Sequence, residues 1–85
     1  MVRTDAKRLL EKEQLQRYNL LEFRKDAPNE IVLKKIGNRY FVYETNEKSE
    51  RQEEIACCLT EEEGIEKFLE YLYEREGLEL PDSLY

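Results

Sequence analysis

Eighty-five residues, 40% of them charged, allow one small domain whose single core is just sufficient for its size. The apolar residues fall in periodic clusters, which excludes a disordered chain, and no stretch is apolar enough to span a bilayer. The net charge of −6 is unevenly divided: residues 1–42 carry 10 Lys/Arg against 6 Asp/Glu (+4), residues 43–85 carry 4 against 14 (−10). The acidic half excludes itself from docking on nucleic acid or an anionic membrane and suits a basic protein.

The first stretch predicts a helix from about Thr4 to Glu13 or Gln14. Thr4 is its N-cap, and Asp5 favours the positive end of the dipole. Ala6, Leu9 and Leu10 share one face, with Glu13 at its edge. Leu15 falls off that face and is expected to fold back as a hydrophobic contact beyond the C-terminus. Tyr18 to Arg24 reads as a first strand, Leu21 and Phe23 on one side, Tyr18 and Leu20 on the other. Asp26-Ala27-Pro28-Asn29 is turn chemistry.

Residues 30–45 form the organising hairpin. Two β-branched and aromatic runs flank Gly37-Asn38, a pair suited to a two-residue type II′ turn. That turn pairs Ile36 with Arg39. It puts Ile31, Leu33, Tyr40 and Val42 on one face and Val32, Phe41 and Tyr43 on the other. A three-residue loop would instead group Ile31 and Leu33 with Phe41 and Tyr43.

Thr45 to Arg51 is polar and reads as a loop, followed by a strand over about Gln52 to Leu59. Ile55, Cys57 and Leu59 alternate with Ala56 and Cys58, so Cys57 is expected to be buried and to resist labelling. Cys58 should face the other side. Adjacent cysteines in a chain with no histidine suit reduced thiols rather than a metal site. The last helix opens on Thr60-Glu61-Glu62-Glu63, a capping box, and carries Ile65, Phe68, Leu69 and Leu72 as one apolar stripe. Gly77 ends it and Pro81 prevents its resumption. Leu78, Leu80 and Leu84 of the 78–85 tail can tuck onto the body.

Together these elements predict one α+β domain over residues 1–85. It comprises an N-terminal helix, a four-stranded antiparallel meander and a C-terminal helix, with both helices on the sheet face bearing Ile31, Leu33 and Val42. Catalysis lacks its usual parts: there is no histidine base, glycine-rich phosphate loop or metal-spaced ligand set, so no enzyme activity and no cofactor are expected. The helix-strands-helix order also suits a double-stranded RNA-binding domain. That module needs a basic start to its last helix, and Glu61, Glu62 and Glu63 stand there instead.

The run Leu-Leu-Glu-Phe-Arg-Lys at 20–25, Pro28 to Lys34, Gly37-Asn38, Tyr40 to Tyr43, Thr45-Asn46-Glu47-Lys48 and Glu61 to Glu63 together resemble the bacterial immunity protein 59 family. The resemblance covers roughly residues 9 to 72. It implies a small cytoplasmic protein that binds and neutralises a cognate toxin domain without catalysis. The family's tryptophan strand is here Tyr40 and Phe41, and its Thr-Asp-Glu-Arg segment is here Thr45-Asn46-Glu47-Lys48. If the Thr45–Lys48 segment contacts the toxin, that departure implies a different toxin. Absence of an apolar leader fits the cytoplasmic expectation.

The expected partner is a basic toxin domain, neither nucleic acid nor membrane, bound by a monomer or homodimer. On a helical wheel Glu63, Glu66, Glu70 and Glu74 lie opposite the apolar stripe, and Glu47 and Glu50 extend the acidity into the 45–51 loop. Phe41 or Tyr43 is the expected apolar anchor. The alternative is a structural or regulatory module that homodimerises through its aromatic sheet face. A solvated helix face is the ordinary reading of such a charge row.

Overall fold

Two helices and a four-stranded sheet make up the computed structural model, which describes residues 2–80, and the side chains of all but residues 52 and 53 among these. In chain order they are α1 (Arg3–Lys12), β1 (Tyr18–Leu20), β2 (Ile31–Ile36), β3 (Arg39–Thr45), β4 (Arg51–Cys58) and α2 (Glu61–Arg75). The sheet order is β1-β2-β3-β4. The α+β class is as expected, but the sheet is mixed rather than an antiparallel meander, because β1 runs parallel to β2. Among the described residues, no helix is long and apolar enough to cross a membrane.

α1 begins two residues earlier than a Thr4 cap implies. Val2, not Thr4, precedes the first turn and makes no side-chain cap, while Ala6 N–H bonds Val2 O at 3.1 Å. Its C-terminus follows the expectation for Leu15. Gln14 takes a left-handed φ of 56°, its N–H bonds Glu11 O, and Leu15 N–H bonds Leu10 O. This is the Schellman arrangement, with Leu15 half-buried against the core.

β1 is cut short at Leu20. Asn19 Oδ1 accepts Glu22 N–H at 2.9 Å, and Leu21 adopts φ 55°. A side chain bonding its own backbone two or three residues on competes with the ladder and turns the chain out. Phe23, assigned above to an alternating strand, is instead fully exposed. A parallel neighbour requires a crossover, and residues 21–30 supply it.

The hairpin register is the two-residue one. Ile36 pairs with Arg39, Leu33 with Val42 and Val32 with Tyr43. Gly37 has φ +63° and Asn38 is not left-handed, the sign pattern of a type II′ turn. β4 is irregular twice: Thr45 pairs with Arg51 and Tyr43 with Glu54, and then an extra residue separates Glu54 from Ala56, the partner of Val42. This bulge at Ile55 lets Ile55 and Ala56 both pack on the core and inverts the phase beyond it. Cys58 is therefore buried and Cys57 exposed, the reverse of the sequence expectation, and Leu59 is also exposed.

Ala6 and Leu10 of α1 share one buried cluster with Leu20, Ile31, Leu33, Val42 and the α2 residues Ile65, Phe68, Leu69, Leu72 and Tyr73. Phe68 meets the Tyr18 ring edge-on at 6.2 Å. Thr60 Oγ1 caps α2 by accepting Glu63 N–H at 3.2 Å. Gly64 costs helix propensity of about 1 kcal/mol, but a Cβ there would lie 3.0 Å from Leu33 Cδ1 and 3.1 Å from Tyr40 Cβ. The helix sits that close to the sheet. Leu78 N–H bonds Tyr73 O past Gly77, which ends the helix as expected, and Leu80 packs on the core while Leu78 stays exposed. Pro81 and Leu84 lie outside the described residues.

Candidate functional site

The four acids of the α2 ridge follow from helical spacing, since steps of three and four residues return to one face. Glu63, Glu70 and Glu74 are exposed and Glu66 is half-buried. From Glu63 to Glu74 the ridge is about 16 Å long at 1.5 Å per residue. Lys67 stands 3.6 Å from Glu70, an exposed i,i+3 pair that offsets little of the charge. At the start of the helix, Arg3 reaches Glu61 at 2.6 Å. Burial, and then Glu63, push the neighbouring Cys58 thiol up from its ordinary pKa.

Glu47 and Glu50 sit on the 46–50 turn between β3 and β4. Asn46 shapes that turn, its Oδ1 accepting the N–H groups of Lys48 and Glu50. Glu47 reaches the C-terminal end of α2, where it lines an open groove of about 540 Å³ with Glu44, Glu76, Arg17 and Arg75. Arg75 is committed to structure there: its guanidinium donates to Arg17 O at 3.2 Å and Asn29 O at 3.5 Å, and lies 3.8 Å from Glu44. Glu50 is exposed.

Phe41 and Tyr43 belong to the other side of the sheet. Their register alternates with that of Val42, which meets the core cluster. The structure therefore does not join them to the α2 acids in one surface. Nor is Tyr43 free: it is 3% exposed, and its hydroxyl donates to Asp26 Oδ2. Burial first, then that hydrogen bond to Asp26, raise its pKa. The Arg51 guanidinium lies 4.8 Å from the Tyr43 ring centre and 5.3 Å from that of half-buried Phe41, a cation–π contact with both.

What covers Tyr43 is the 21–30 crossover, held by polar contacts that sequence patterning did not single out. Glu30 is 2% exposed, and its carboxylate accepts from Arg24 at 3.2 and 3.0 Å and from Ala27 N–H at 2.8 Å. Hydrogen bonding to Glu30 in turn raises the Arg24 pKa. Thr45 Oγ1 accepts Glu30 N–H at 2.9 Å and donates to Ala27 O at 2.6 Å. An acid just before an apolar strand, three residues after a turn alanine, was the only available signal.

The second feature missed by the sequence is a basic groove of about 290 Å³ beside β2, lined by Arg3, Leu21, Glu22, Phe23, Lys34, Lys35 and Tyr40. Among the described residues no group of three or more Cys, Asp or Glu side chains could hold a metal.

No family model, curated protein or solved structure matches this chain.

Proposed function

We propose that this protein acts by binding, not catalysis, and that the acidic face of α2 docks a basic protein partner. The observation that carries the reading is the row Glu63, Glu66, Glu70 and Glu74 on a capped, core-packed helix, with Glu47 and Glu76 continuing the acidity at its end. The family resemblance gives the partner a class: a toxin domain, neutralised in the cytoplasm by this immunity protein. Both helices on the core face leave the ridge pointing to solvent, which the shared α1–α2 cluster supports. Homodimerisation through the aromatic face is less favoured, because the crossover already occupies Tyr43.

The reading requires a secreted toxin with a basic domain encoded beside this gene. The test measures association of that domain with wild type and with Glu66→Lys/Glu70→Lys across a salt series. Exposed charges act mainly on the association rate and are screened over about 8 Å at physiological salt. The double reversal should slow association at low salt and matter little at high salt. An unchanged low-salt rate would make the ridge an ordinary solvated face.

A further inference from the structure

β1 pairs with β2 only as far as Leu20 with Leu33, yet β2 continues through Lys34, Lys35 and Ile36. In a strand, alternate residues present their N–H and C=O to the same edge. Ile31 N–H bonds Arg17 O, and Leu33 O accepts Leu21 N–H, so Lys35 is the next residue whose backbone faces that edge. Among the described residues no strand partner reaches it there. An unpaired N–H and C=O on a sheet edge is a template for another strand.

The side chains around this open edge have a definite chemistry. Phe23 is fully exposed (105%), although burying a phenylalanine normally stabilises a protein. It shares its groove with Leu21 and Tyr40 and with three cations, Lys34, Lys35 and Arg3, the last already paired with Glu61 at 2.6 Å, against one lining acid, Glu22. Lys34 is only loosely paired, 3.7 Å from Asp26, and Lys35 has no ion pair among the described residues, its Nζ lying 5.7 Å over the Tyr40 ring. Arg39 and half-exposed Ile36 extend the same character to the turn.

We propose that this edge takes an extended, acidic segment of a partner protein as an added strand, continuing the line that β1 abandons at Leu20. The strand's backbone would pair with Lys35. One face of the added strand would lie beside Lys35 and Tyr40 and the other beside Lys34, so that carboxylates on either face meet a lysine and apolar side chains meet Leu21, Phe23 or Tyr40. The unsatisfied backbone edge favours a peptide over a nucleic acid strand, which has no matching ladder of donors and acceptors. This surface is separate from the acidic ridge and does not depend on the reading given for it.

The test titrates isotopically labelled protein with a blocked peptide of alternating Glu and Val, following backbone amide shifts. A Lys–Val analogue and a short oligothymidylate serve as the other arms. The acidic peptide should shift the amides of Lys35, Leu21 and Phe23. Phe23→Ala and Lys35→Glu, both at exposed positions that leave the fold intact, should each weaken binding by about tenfold or more. The proposal is overturned if the acidic peptide causes no shifts at millimolar concentration, or if the Lys–Val peptide binds equally well. Shifts confined to another surface, or binding at this edge by the oligonucleotide alone, would also overturn it.

Discussion

The two faces of the sheet are closed by different physics. On one, Ile31, Leu33 and Val42 meet the apolar stripe of α2, and non-directional burial does the work. On the other, Tyr43 meets the irregular 21–30 crossover, held by Glu30, Arg24, Thr45 and Asp26. The first kind of closure tolerates small shifts and writes itself into the sequence as a period. The second depends on a few directional bonds, each costly to leave unmade once buried, and has no period.

The largest effect should come from the helix-covered face. Phe68→Ala should destabilise by about 3–5 kcal/mol and Leu69→Ala by about 2–5 kcal/mol, a large share of what a small domain has. Denaturant midpoints check this, and losses under about 0.5 kcal/mol for both would mean the stripe does not meet the core. Glu30→Ala should cost less, about 2–3 kcal/mol, because it strands Ala27 N–H while Arg24 remains partly solvated. Its signature is local: trypsin should cut at exposed Arg24 or Lys25 well before the helices yield. Unaltered cleavage there would mean the carboxylate does not hold the crossover.

Tyr43→Phe should cost about 1 kcal/mol, one hydrogen bond to a partly buried carboxylate. It also carries a pH signature. The Tyr43 hydroxyl is pushed up by burial and by Asp26, and the Tyr18 and Tyr73 hydroxyls are also raised, each first by burial. A raised phenol stays neutral in the folded state while the unfolded one ionises. The stabilisation is therefore fully present below about pH 10 and is lost as pH rises through the folded values. Thermal melts should show wild type weakening above about pH 10, and Tyr43→Phe should lose less over that range.

The smallest test concerns β4 and needs no mutation. Cys57 should react quickly with an aromatic disulfide reagent in the native state. Cys58, buried and with its thiol pKa raised, should wait for unfolding. Equal rates, or faster Cys58 labelling, would remove the bulge at Ile55 from the account.

These contrasts also mark what the sequence made legible. α2 was readable from its capping box, stripe and terminal glycine, and the hairpin register from Gly37-Asn38, because each encodes local geometry or a repeating burial pattern. Helical spacing likewise puts the ridge acids opposite the apolar stripe, with Glu63, Glu70 and Glu74 exposed and Glu66 half-buried. β4 was read one phase out because a single inserted residue shifts every later side chain without changing composition. For β1 the pattern predicts too long a strand and, within the expected meander, an antiparallel one. Three residues carry almost no periodic signal, and Asn19 bonds its own chain instead of continuing the strand. The same error hid both Phe23 and the true cover of Tyr43, and so joined Phe41 and Tyr43 to acids that stand across the sheet.

Hydrogen exchange at one amide tests the closure of the second face most directly. Ala27 lies in no strand or helix, yet its N–H donates to the buried Glu30 carboxylate at 2.8 Å. In native protein it should exchange about a hundredfold or more slower than the amide of neighbouring Lys25, approaching Thr45 N–H in its bond to Glu30 O. An Ala27 amide exchanging as fast as that of Lys25 would mean that the crossover does not seal this face, and that Tyr43 is open to a partner after all.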